Sequence, residues 1–116
     1  MNAARADAGC GALSTDGALT AAAQGHSADM AANDYFSHTS QDGRSFGDRI
    51  RAAGYGGGAI AENIAAGQSS ASSVMASWMD SAGHRANILN CSYSHIGVGV
   101  AQGGSMGTYW TQTFGG

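Results

Sequence analysis

At 116 residues, with 43% hydrophobic and only 11% charged residues, the chain has the size and composition of one folded domain whose surface is covered by neutral polar residues and glycine rather than by ion pairs. All five basic residues are arginines and the net charge is -3, so the basic footprint needed to wrap a phosphate backbone is missing and nucleic acid is excluded as a partner. No apolar run approaches the roughly 20 residues of a membrane span, and the opening MNAARADAGC has neither the basic nor the apolar region of an export signal.

Asn2 to Ala8 reads as the tail of a helix that Gly9 and Gly11 end around Cys10. Asp16 is placed to cap a helix running to about Asn33, on which Leu19, Ala23, His26 and Met30 form a narrow apolar stripe suited to close packing. Ser45 followed by Asp48 opens a short helix, FGDRIRAAG, which Gly54 stops. After the loop GYGGGA, the segment AIAENIA puts Ile60, Glu62 and Ile64 on one face if it is extended. The serines of GQSSASS can cap a helix through Val74, Met75, Trp78 and Met79, and Ser81 caps a further turn or two, GHRANIL. HIGVGVA and TYWTQTF alternate like the strands of a hairpin joined by the glycine-rich QGGSMG. Helices come early and strands late, without strict β-α alternation. The expected class is therefore α+β, a single domain over residues 1–116 with an antiparallel sheet covered by helices.

Cys10 and Cys91 lie far apart with no CxxC partner, which argues against a cysteine metal knuckle or a thioredoxin-type pair. A long-range disulfide is the expected use; closing a loop of roughly 80 residues contributes about 4 kcal/mol on the chain-entropy model. The alternative is a pair of buried free thiols in a reducing compartment. A bridge would imply export, with the signal already removed.

Glu62 is the only glutamate, and on a strand its carboxylate shares a face with Ile60 and Ile64. Burial without a partner would neutralise it, whereas an imidazolium, an arginine, a helix N-terminus or a divalent cation would keep it ionised. His38 follows Tyr35 and Phe36 just past the long helix, and His84 sits in the first turn of a short helix whose dipole disfavours its protonation. With Asp80 these give two nitrogens and two carboxylates, a set that suits zinc or a similar cation if the fold unites them. His26, on the apolar stripe, is expected to be a hydrogen-bonded core residue and His95, at the start of a strand, to be exposed. Met75, Met79, Trp78 and Trp110 are expected in the core or a cleft wall. No GxSxG stands at a strand-to-helix elbow, and there is no HExxH or Walker loop.

The segments NDYFSH, AENIA, SWMDSAGHRANILN and HIGVGVA, in that order, resemble the CAP superfamily of cysteine-rich secretory proteins, antigen 5 and pathogenesis-related 1 proteins, in its bacterial branch. The likeness runs from NAAR near the start through TYWTQTF at the end. It implies an α-β-α sandwich with a central antiparallel sheet, secretion, and a cleft that in several members binds a divalent cation, often zinc. Motif by motif, the cleft histidines fall on His38 and His84, the glutamate on Glu62, and the second acid on Asp80. That acid is usually a glutamate one residue further along, where this chain has Ser81, and proline, which bacterial relatives often place near Gln41, Phe46 and Ala82, is absent.

The resemblance implies an extracellular binding module with a cation in the cleft and a lipid, sterol or cell-wall ligand. A second expectation is a metal-dependent, peptidase-like hydrolase with Glu62 as general base, although no oxyanion donor or specificity pocket is recognisable. A third is a hydrogen-bonded brace in which the same residues serve only the fold.

Overall fold

The computed structural model describes residues 1–116. The chain opens with α1 (Asn2–Asp7) and a two-residue strand, β1 (Ser14–Thr15), and continues into α2 (Gly17–Asn33). As the aspartate at its start predicts, α2 is capped by the Asp16 side chain, which accepts the Leu19 amide at 3.0 Å. α3 (Phe46–Ala52) carries a complete capping box: Ser45 Oγ accepts from the Asp48 amide at 3.1 Å and the Asp48 carboxylate accepts from the Ser45 amide at 3.0 Å. Gly54, at φ 98°, turns the chain away beyond its end. β2 (Ile60–Ala66), α4 (Ala71–Met79), α5 (Ala82–Ile88) and the hairpin of β3 (His95–Gly103) and β4 (Gly107–Gly115) complete the chain.

The strands are ordered β1-β3-β4-β2, and β4 pairs antiparallel with both β3 and β2. β1 adds to β3 in parallel through Ser14 opposite His95 and Thr15 opposite Ile96. The sheet is therefore antiparallel in its body and mixed at one edge, and two residues are too few to show the alternation by which a strand is recognised. α2 and α3 cover one face, where Leu19, Ala22, Ile50 and Tyr55 pack together and Met30 meets Ile64 and Tyr109. α4, α5 and Met1 cover the other, over Ala61, Ala65 and Phe114. This is the expected α-β-α arrangement, and no helix is long and apolar enough to cross a membrane.

α2 lies directly on the backbone of β3. A Cβ on Gly97 would stand 2.1 Å from the Leu19 carbonyl carbon, and one on Gly99 would stand 2.4 Å from the Gln24 amide nitrogen. Polar groups fill the rest of the contact: Ser27 Oγ and Thr111 Oγ1 are 2.7 Å apart, and Thr113 Oγ1 donates to the Leu19 carbonyl at 2.8 Å. Past the short β1, β3 is an edge strand. Gln24 of α2 reaches that edge, its Nε2 donating to the Val100 carbonyl at 2.9 Å and its Oε1 accepting the Val100 amide at 3.0 Å.

The other layer is fastened by a charge. Arg5 is fully buried and donates to the carbonyls of Gly11 (3.0 Å), Ile88 (2.8 Å), Asn90 (3.0 Å) and Tyr93 (2.9 Å). The segments it joins are also joined by the Cys10–Cys91 disulfide, so the expected bridge forms and no free thiol is left. Gly99→Ala should therefore lower stability in urea unfolding by about 3 kcal/mol, because neither backbone can give way. Gly83→Ala, on α5 with open space around it, should leave stability unchanged or raise it by up to about 1 kcal/mol.

Candidate functional site

β2 places Glu62 opposite Thr113, on the face turned toward α2 and α3, where the residue is only 5% exposed. Arg49 of α3 is equally buried and grips the carboxylate with both arms, Nη1 to Oε2 at 2.7 Å and Nη2 to Oε1 at 3.1 Å. Nη2 also donates to the His38 carbonyl. The His38 ring, half in solvent, has Nδ1 2.9 Å from Glu62 Oε1. An ionised carboxylate only accepts hydrogen bonds, so Nδ1 carries the proton and Nε2 is the outward nitrogen.

Burial by itself would push the Glu62 carboxyl up; hydrogen bonds from His38 and Arg49 and the charge of Arg49 outweigh it and hold the group below the usual glutamate range. Glu62 is thus a permanently charged, fully engaged anion at neutral pH.

His84 is half-buried near the start of α5, with Nδ1 2.9 Å from Ser81 Oγ. Ser81 occupies the N-cap position but caps no helix amide, a departure from its expected use, because its hydroxyl is engaged with the ring. The pKa of His84 is lowered, as the helix dipole would also direct, by burial first and by the charge of His38 second. The two rings are therefore within electrostatic reach of each other. Asp80, the C-cap residue of α4, is exposed and makes no side-chain hydrogen bond or ion pair with the other three.

No group of three or more His, Cys, Asp or Glu side chains stands close enough to hold a metal ion. The rings of His38 and His84 are each steadied through Nδ1, as ligating imidazoles commonly are through one nitrogen. The Glu62 oxygens are already taken by Arg49 and His38.

His26 is buried on α2 and donates from Nε2 to the Ser37 carbonyl at 2.7 Å, with its pKa lowered by burial and by Arg49, so it is the core histidine expected. His95 departs from expectation: it is half-buried, its Nδ1 3.1 Å from the Tyr55 hydroxyl. Tyr55 closes over this end of the sheet through a gap that exists because Gly115 has no side chain; a Cβ there would stand 2.2 Å from the tyrosine ring. Trp78 is in the core, while Met75, Met79 and Trp110 are partly buried against it. Arg49 is the site residue that sequence reasoning missed. An arginine partner for Glu62 was foreseeable, but nothing in the spacing of five arginines selects this one.

The chain matches the model of the cysteine-rich secretory protein (CAP) family over residues 1–114 and belongs to that family. It is 41% identical over 113 residues to the uncharacterized protein YkwD of Bacillus subtilis and 36% identical over 113 residues to the uncharacterized membrane protein YlbC of the same organism, covering 97% of this chain in each case. It spans only 43% and 31% of those relatives. Among solved structures, an extracellular SCP-domain protein from Bacillus anthracis superposes with a TM-score of 0.90 at 36% identity, over 98% of this chain and 37% of that one. An outer surface protein of Borrelia burgdorferi shares the fold, with a TM-score of 0.88 at 20% identity over 98% of this chain and 84% of that one.

The lowered pKa values give stability a direction with pH. His26 and His84 resist protonation in the folded state, so stability should begin to fall as pH drops below the ordinary histidine value of 6.5. Glu62 adds a second loss below the ordinary glutamate value of 4.5, where the unfolded chain takes up a proton that the folded one resists. Urea midpoints across pH 3 to 8 on a ~1-unit grid should trace both steps. Glu62→Gln should shrink the lower one, to which the lowered carboxyls of Asp34 and Asp42 also contribute, and cost about 3–5 kcal/mol near neutral pH by leaving Arg49 buried without its anion.

Proposed function

We propose that this domain is an extracellular, non-enzymatic binding module that holds a divalent cation, zinc in the first place, with His38 and His84 and uses that site to recognise a ligand. The observation that carries this reading is the division of labour at the site. Both imidazoles are tethered through Nδ1, which leaves their Nε2 atoms free, while Glu62 is spent on Arg49 and His38. In this arrangement Glu62 orients His38 from behind, and Asp80 stands as an outlying acid with no direct bond assigned to it. A bound cation would supply a fixed positive charge to which a ligand oxygen is attracted.

An extracellular setting is supported by the disulfide and by relatives described as extracellular or outer surface proteins. The resemblance supplies the ligand classes: lipid, sterol or a wall-associated molecule. The hydrolase alternative needs Glu62 as a base near neutral pH, and a carboxylate held below its ordinary range by a buried arginine is poorly matched to that task. The same network favours a bracing role, which the variants below separate from binding.

Zinc titration by calorimetry on metal-stripped protein should give one site, lost in His38→Ala and in His84→Ala and retained in Asp80→Ala, with circular dichroism unchanged in all three. Unfolding of His38→Ala would assign the network to bracing alone. Full zinc binding by folded histidine variants would remove the cation reading, and chelator-sensitive turnover of a peptide or ester panel would replace binding with hydrolysis.

A further inference from the structure

A groove of about 230 Å³ runs between α2 and α3, with room for roughly eight waters of ~30 Å³ each. Its walls are small: Ala21, Ala22 and Gly25 of α2 and Ala52 of α3, with Arg44 and Arg49 beside them. The protein's own packing gives no reason for Gly25. It sits inside α2, exposed and without a positive φ, and a Cβ there would meet nothing within 4 Å. A glycine inside a helix weakens it relative to alanine. Bare backbone facing a groove suits a group that must approach it closely from outside.

The two arginines bring hydrogen-bond donors to this groove, and no acceptor side chain lines it. Arg49 is 6% exposed; its Nη1 and Nη2 are taken by Glu62 and the His38 carbonyl, while its Nε is buried and has no partner. Arg44 lies half in solvent with Nε on Asp42 Oδ2 at 2.8 Å, and its Nη1 and Nη2 donate to no protein atom. A buried N–H left without a partner costs free energy, and an acceptor oxygen supplied by a ligand recovers it. Both arginine charges are already matched, Arg49 by Glu62 at 2.7 Å and Arg44 by Asp42. An anion would therefore lose hydration to charges that are spent and would face the Asp42 carboxylate as well.

We infer that this groove binds the N-acetyl group of a ligand, its methyl against Ala21, Ala22 and Ala52 beside the Gly25 backbone and its amide carbonyl oxygen accepting from Arg49 Nε. Arg44, at the mouth, donates to oxygen atoms of the molecule that carries the group. An acetamido group is neutral, presents the acceptor that the orphaned Nε–H calls for, and joins it to an apolar part no larger than a methyl, which is what walls of alanine and glycine admit. The carrier is an amino sugar or an N-terminally acetylated peptide. This site is separate from the proposed function at His38 and His84 and is independent of any cation there.

The test is a titration of isotope-labelled protein with N-acetylglucosamine and with N-acetyl-L-alaninamide, followed by NMR with a chelator present, which removes the cation site from the outcome. At least one probe should give saturable shifts at the amides of Ala21, Gly25 and Ala52. It should also move the Arg49 Nε–H resonance downfield while that of Arg5, already bonded to the Gly11 carbonyl, stays in place. The tighter of the two probes names the carrier as sugar or peptide. Glucose, which lacks the acetyl group, should give no shift, and Arg44→Ala should weaken binding about three- to tenfold. Gly25→Leu, which enters open space on a helix it strengthens, should keep the fold and abolish the shifts. No saturable response to either probe, an equal response to glucose, acetate binding as tightly as the acetamides, an unmoved Arg49 Nε–H, or undiminished binding by Gly25→Leu would each overturn the inference.

Discussion

Helix α2 touches β3 through backbone rather than side chains. With only hydrogens at Gly97 and Gly99, the strand admits the main chain at Leu19, Ala23 and Gln24 to distances closed to any other residue, and Ser27, Thr111 and Thr113 hydrogen-bond across the remaining gap. The position of the helix fixes where the chain leaves it, and that exit loop carries His38. Through β4, the same contact sets the height of β2 and hence of Glu62. The 2.9 Å between His38 Nδ1 and Glu62 Oε1 is therefore the downstream result of two missing side chains on another strand.

Three of the molecule's few charges are inside, Arg5, Arg49 and Glu62. Arg5 ties carbonyls from both ends of the chain and Arg49 neutralises the one glutamate, while Arg51 and Arg85, on the surface, donate to backbone carbonyls. A buried pair such as Arg49 and Glu62 gains little net stability over an apolar pair of the same shape, since both charges give up hydration. What it gives is geometry: one bidentate grip that holds α3, β2 and the His38 loop in register. The carboxylate is thereby held ionised, below the usual glutamate range.

The helix boundaries were legible because their signals are local: Asp16, the Ser45 and Asp48 pair, and Ser70 act within one turn of themselves. The closing hairpin was legible from alternation and its glycine-rich turn. β1 was not, since two residues carry no period, and Ser81 was assigned to a helix it does not cap because its competitor, His84, acts through side-chain reach. Order along the chain pointed to His38, Glu62, Asp80 and His84, of which the fold bonds His38 to Glu62 directly; it did not show that Glu62 would be consumed by Arg49 or that Asp80 would stand apart. The burial of His95 depends on Tyr55, forty residues away, and Asn87 of α5 donates to Asn63 of β2, which donates to Gln112 of β4. Such partnerships are decided in space, and no spacing rule records them.

The grip of Gln24 on Val100 matters beyond the contact itself. An exposed edge strand is an invitation for another molecule to add a strand of its own, and proteins usually post charged residues or prolines there as sentries. This chain has no lysine and no proline to spare. It substitutes a primary amide whose carbonyl and NH₂ imitate a strand's own pairing groups and fill the next place in the ladder. A neutral guard of this kind neither titrates nor is screened by salt, so at Val100 it keeps its place in acid and in brine, where charge-based guards fade.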